Sequence, residues 1–224
     1  MLSCILIIIG IVLLNMQNII QFSYEKEVED EKDDFIEFKD TEENNYLLDL
    51  LYQRLLAENI SLYENDQSNL KDPFSYEQPS IDLTEYGIDD NVIGYINIPK
   101  MSVELPILLG ANSINMKKGA VHLTETSYPI GGENTNSVIA AHRGWSTGLM
   151  FRHIELLEIG DIIYIQNYWN LLEYEVYDIE IINPTDVENL LIEDDKEILT
   201  LLTCHPYRVN SQRYMVKAKL VDVK

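Results

Sequence analysis

From residue 92 onward the chain is written in short apolar runs, several of which alternate apolar and polar residues position by position. A period of two marks a strand with one buried face. Eight such segments are predicted, at 92–98, 103–108, 119–122, 137–141, 161–166, 172–182, 197–203 and 212–221. Pro99 closes the first, and Pro206 stops pairing beyond the seventh because proline has no amide donor. The stretch 128–136, with Gly131, Gly132 and Asn134, is loop by composition. Residues 149–157 read as a helix, and 186–191 as a short helical turn. Many short strands with few helices predict a mainly β fold, a closed or nearly closed barrel.

The first ninety residues follow other patterns. Leu2 to Leu14 is almost wholly apolar, and Met16, Ile19, Ile20 and Phe22 extend the run while Asn15, Gln17 and Asn18 weaken it. Residues 1–22 therefore read as a membrane anchor or a signal, and the lack of a small-x-small cleavage site favours an uncleaved anchor. No Lys or Arg precedes the run, so flanking charge does not orient it directly. Residues 23–43 follow as an acidic stalk: 25–43 hold eleven acids against three lysines, a local net of −8. Such a segment is expected to repel itself and stay extended. Next, Leu47, Leu48, Leu51, Tyr52 and Leu55 recur at helical spacing, with Asn44 or Asn45 as the expected cap. One apolar stripe needs one surface to cover, so this helix is predicted to pack on the outside of the main domain.

Size and charge narrow the field. A chain of 224 residues holds one domain with a real core plus appended segments. A net charge of −22 argues against nucleic acid as a partner, since phosphate binding wants a basic stripe. Two cysteines, one of them inside the N-terminal apolar run, give no disulfide framework. Cys204 is then a lone thiol at the end of the apolar run 198–202. It is either a small buried hydrophobe or a nucleophile. Arg213 opens the next strand and can stand beside it. A thiol nucleophile also needs a base or charge partner within reach. Of four histidines, His142 lies just past the apolar strand, where a loop can aim it into a cleft. His122, His153 and His205 read as satisfied or exposed imidazoles. No pair of histidines has ligand spacing with an acid partner, so neither metal nor cofactor is expected.

Thr-Leu-Leu-Thr-Cys at 200–204, followed by Pro206, Asn210 and Arg213, resembles the signature of the sortases, cysteine transpeptidases of the Gram-positive cell surface. Residues 119–144 resemble the class C, pilin-polymerising sortase run GAxHLxxTSxPxGGENTxSVxxxHRG. Asp72-Pro73-Phe74, after a helix, is similar to the lid of that class. The resemblance spans residues 46 to about 221. It implies an eight-stranded sortase-type β-barrel at 81–224, with short helices, behind an N-terminal helix and lid at 44–80. It implies Cys204 as nucleophile, His142 as catalytic histidine and Arg213 as oxyanion and carbonyl donor. Asp72 would pair with Arg213, with Pro73 beside it and Phe74 over the sulfur. Thr203, His205, Arg208 and Trp145 are implied as substrate-cleft candidates, Arg208 standing where the family usually has glycine and His205 where it has a small residue.

The implied reaction cleaves an LPxTG-like sorting signal between Thr and Gly and passes the acyl group to an amine. In class C that amine is a pilin lysine in pilus assembly. In a housekeeping enzyme the acceptor is a peptidoglycan precursor of the cell wall. A catalytically silent scaffold that binds sorting signals is the third reading, and the three intact positions speak against it. The implied partners are a pilin or surface protein bearing the signal, the acceptor, and the membrane through the N-terminal segment, with the catalytic domain extracellular. Class C members often carry a second C-terminal hydrophobic segment. This sequence ends at Lys224, directly after the last predicted strand, which leaves the N-terminal run as the one expected tether.

Overall fold

The alternating segments become eight strands: β1 (Val92–Ile98), β2 (Val103–Leu109), β3 (Ala120–His122), β4 (Thr135–Ala140), β5 (Ile162–Asn167), β6 (Leu171–Ile182), β7 (Glu197–His205) and β8 (Gln212–Val223). The computed structural model describes residues 2–38, 41–70, 72, 78–144 and 148–224, with the side chains of 2–9 and 11 excepted. The strands close a barrel, as the alternation predicts, in the order β1-β2-β3-β4-β7-β8-β6-β5. Two of the pairings, β2 with β3 and β4 with β7, are parallel. Ile93, Ile96, Ile98, Leu105, Ile107, Leu199 and Leu201 are fully buried in the core. Each such side chain contributes about 1.5–3 kcal/mol by leaving water.

The expected helix at 149–157 does not form. Only a 310 turn at Ile154–Leu156 is helical, and Met150 takes a positive φ of 45°. That left-handed backbone, at the second of the nine residues, interrupts a right-handed helical path. The apolar spacing there reflects burial of Met150, Phe151, Ile154 and Leu157 along an irregular loop.

The acidic stalk also differs from expectation. Its residues 23–37 are the second half of one long helix, α1 (Leu2–Glu37), and not an extended spacer, while Glu42 and Glu43 open the next helix. Tyr24, Val28, Glu31 and Phe35 recur at i, i+4, i+7 and i+11, which puts them on one helical face. Val28 and Phe35 are buried against the barrel. The Phe35 ring lies 4.0 Å from that of Tyr168 and 5.2 Å from that of Tyr95, centroid to centroid. Lys32 pairs with Glu104 on β2 beside them. Packing along this face fixes the helix to the barrel, and the acids off that face are exposed.

Helix α2 (Glu42–Glu64) lies outside the barrel as predicted, with Leu48, Leu51 and Leu55 buried beneath it. Thr41, not Asn44 or Asn45, is its cap: Oγ1 accepts from the Asn44 amide at 3.1 Å. Asn44 instead donates its side-chain amide to the Phe38 carbonyl. Asn59, buried on the same face, exchanges two hydrogen bonds with the Tyr128 backbone, at 2.7 and 3.3 Å. That ties α2 to the loop feeding β4. A short helix, α3 (Asn115–Lys118), connects β2 to β3. Among the described residues no helix is long and apolar enough to cross a membrane.

Candidate active site

Three chain segments meet at one end of the barrel. Strands β7 and β8 pair so that Cys204 stands directly opposite Arg213. Opposite residues of an antiparallel pair share a face. The thiol and the guanidinium therefore project to the same side. Strand β4 runs parallel to β7 and in step with it, Ala140 beside Leu202. The Ala141 amide donates to the Leu202 carbonyl at 3.2 Å, which carries the pairing one residue further. His142, two residues past Ala140, is thereby level with Cys204, two past Leu202. The His142 carbonyl accepts from the Phe151 amide at 3.1 Å, so the irregular loop described above braces the histidine segment.

Arg213 is almost fully buried and gripped at two points by Asp72. Its Nη2 lies 2.6 Å from Oδ2, and its Nε lies 3.2 Å from Oδ1. Nη1 donates to the carbonyls of Asn210 and Gln212. Planar two-point pairing is what guanidinium and carboxylate geometry favours. Asp72 thus occupies the cation next to the thiol. The other two lid candidates, Pro73 and Phe74, lie outside the described residues, as does Trp145.

Charge and burial compete at the sulfur. Cys204 is a free, half-buried thiol. Burial pushes its pKa above the ordinary thiol value, Arg213 and Arg143 pull it down, and Asp72 pushes it up, with burial dominant. Burial also lowers the His142 pKa. Both shifts favour the uncharged forms, thiol and imidazole.

The four cleft candidates fare differently. Thr203 does not line the cleft. Side chains alternate along β7, which turns Thr203 to the face opposite Cys204. There it is fully buried, and its hydroxyl donates to the Ala141 carbonyl at 2.7 Å. His205 shares that opposite face, where its ring sits 5.7 Å from that of Tyr214. Arg208 is exposed, with its guanidinium 5.1 Å from the Tyr207 ring centroid. Its φ of 68° is a left-handed conformation in which glycine is unstrained.

Arg143 was not singled out by the sequence reading, although it follows His142 directly. Its Nη1 donates to the Cys204 carbonyl at 3.3 Å and to His205 Nδ1 at 2.8 Å. Its Nη2 pairs with Glu155. The available signal was the His-Arg-Gly triplet, but nothing in the sequence showed where the arginine points. Among the described residues no three His, Cys, Asp or Glu side chains gather so as to hold a metal ion.

The sequence matches the sortase domain family over residues 96–221. Sortase A of Bacillus anthracis is 33% identical over 165 residues, which cover 72% of this chain and 76% of that protein. Sortase C1 of Streptococcus agalactiae superposes with a TM-score of 0.71 at 35% identity, covering 80% of this chain and 90% of that one. Sortase C2 of pilus island 1 of Group B Streptococcus gives a TM-score of 0.67 at 33% identity, covering 76% and 97%. With a strand-end cysteine facing an arginine on the closed eight-stranded barrel, these matches identify the chain as a member of the sortase family, a cysteine transpeptidase whose structural neighbours are class C pilin sortases.

Proposed function

We propose that this transpeptidase cleaves an LPxTG-like sorting signal between Thr and Gly and passes the acyl group to a pilin lysine. The observation that carries the reading is the placement of Cys204 opposite Arg213, with Asp72 holding the arginine. In this account His142 takes the thiol proton as substrate enters, and the thiolate of Cys204 attacks the threonine carbonyl carbon. The carbonyl oxygen becomes an oxyanion, which Arg213 receives once Asp72 has left. Losing one such donor typically costs about 2.7–4 kcal/mol in the transition state. The C–N bond then breaks, and His142 returns its proton to the departing glycine amine. A thioester to Cys204 remains. The lysine amine attacks it, gives a proton to His142, and expels the thiolate as the isopeptide bond forms.

Asp72 acts here as the anchor of a lid that competes with substrate for Arg213, with Pro73 and Phe74 completing its motif. His205 and Arg208 flank the strand end that substrate would approach, and Trp145 follows the His142 segment. The first half of α1 supports attachment to a membrane, with the catalytic domain extracellular: Leu13, Leu14 and Phe22 stand 61%, 86% and 68% exposed.

The match to a sortase A favours a second reading, transfer to a cell-wall precursor. The two are separated by presenting the enzyme and a sorting peptide with a lysine-bearing pilin peptide or with oligoglycine. The lysine isopeptide product is expected to dominate. A product with oligoglycine alone would favour the housekeeping reading.

A further inference from the structure

Arg143 is buried, 6% exposed, directly after His142, and its side chain crosses to the end of β7. A buried guanidinium is costly to desolvate unless its surroundings answer it. Here the answer is incomplete. Nε has no hydrogen-bond partner among the described residues, and Glu155, which pairs with Nη2, is half exposed. What the side chain does reach is specific. One nitrogen, Nη1, touches both the carbonyl of Cys204 and the ring of His205, and the guanidinium carbon lies 5.9 Å from the Tyr214 ring centroid. All of this lies behind the strand, since alternation puts His205 and Tyr214 on the face away from the thiol.

We propose that Arg143 is a positioning residue that locks the His142 segment to the Cys204 strand end and holds a cation behind the thiol, a role that rests on reading Cys204 as the nucleophile. The backbone of residues 142 and 143 is continuous, so fixing the arginine to the Cys204 carbonyl fixes the spacing between imidazole and sulfur. Its bond to Nδ1 makes that nitrogen an acceptor, so His205 is neutral and carries its proton on Nε2. Protonated His205 could not accept that bond and would face Arg143 as a like charge. The charges acting on the thiol are Arg213 and Asp72 from its own face and Arg143 from behind the strand. The groups facing His205 are Arg143 and Tyr214, and Glu155 faces Arg143.

The test uses the full chain and two readouts. The first is the pH dependence of iodoacetamide alkylation, followed at the Cys204 peptide by mass spectrometry so that Cys4 does not interfere. The second is the rate of acyl-enzyme formation with an LPxTG peptide. Arg143→Met is expected to raise the alkylation midpoint by about one pH unit, leaving about tenfold less thiolate at neutral pH. It is also expected to slow acylation at least as much. Arg143→Lys should restore the midpoint but not the rate, because an ammonium cannot reproduce the planar two-partner contact. His205→Ala should leave the midpoint in place and slow acylation. The proposal is overturned if Arg143→Met and His205→Ala keep both native values and only melt earlier. Should Arg143→Met fail to fold, a native acylation rate in Arg143→Lys overturns it equally. A native chain that alkylates normally but never acylates would sink the sorting-signal reading instead, while the midpoint shift still decides the cation.

Discussion

Asp72 makes two contacts that oppose catalysis: it grips Arg213 through both carboxylate oxygens, and its charge raises the Cys204 pKa. Removing that charge takes away one of the two causes that hold the thiol protonated. Asp72→Ala is therefore expected to lower the alkylation midpoint of Cys204 and to speed alkylation at neutral pH several-fold. A rate unchanged from the native chain would mean that Asp72 does not guard the sulfur. Cys204, His142 and Arg213 were legible as residues because their motif fixes them in register. The inward turn of Thr203 was not, because it depends on where β7 ends, and the strand runs on to His205. His122 fulfils the modest expectation of a satisfied imidazole. It is fully buried, its Nε2 lies 3.0 Å from the Ser127 carbonyl, and its ring stacks on Tyr128. Burial lowers its pKa from 6.5 to about 4. A base held neutral in the fold contributes stability above its unfolded pKa, and that contribution is lost as pH falls from 6.5 through about 4. A shift of this size corresponds to about 3 kcal/mol. His122→Asn should lower stability at neutral pH yet flatten its decline between neutral and acid pH. Urea titrations at several pH values check this, and parallel slopes for both proteins would contradict it.

At the scale of elements, the strands were legible from alternation to within two residues at every end, since the period of two survives wherever one face is buried. The helices were less so. The spacing of Tyr24, Val28 and Phe35 was present in the sequence, but eleven acids between 25 and 43 obscured it. The segment 149–157 had apolar spacing without helix, because its hydrophobic side chains serve a loop that folds under the barrel. The docked half of α1 also reaches the active-site end: the Leu149 amide donates to Gln21 Oε1 at 2.9 Å, and Tyr24 Oη donates to the Lys118 carbonyl at 2.8 Å. Phe35 is the larger of the two side chains, with Val28, that this docking buries. Phe35→Ala is expected to weaken docking by about 3 kcal/mol. Hydrogen exchange should then rise along 25–37 while β1, β7 and β8 stay protected. Equal acceleration everywhere would mean that α1 is part of the barrel's single cooperative unit, and no acceleration would mean that the ring contributes little.

At the scale of the molecule, the barrel was predicted as a class and its strand order was not. Parallel pairing of β4 with β7 joins segments some sixty residues apart, and nothing local in either strand encodes its partner. That pairing nevertheless makes the site, since it sets His142 level with Cys204 while the β7–β8 register brings Arg213 opposite. Fold and reacting groups are in this sense one design: the thiol is placed by one neighbour strand and its charge partner by the other. The most direct test of that claim is intact mass. The full chain is incubated with an LPxTG peptide beside Cys204→Ala and Asp72→Ala. The expected result is an increment equal to the peptide's N-terminal half through threonine, present in the native chain, faster in Asp72→Ala and absent in Cys204→Ala. An increment that persists in Cys204→Ala, or none in Asp72→Ala with a panel of LPxTG-like peptides, would contradict it.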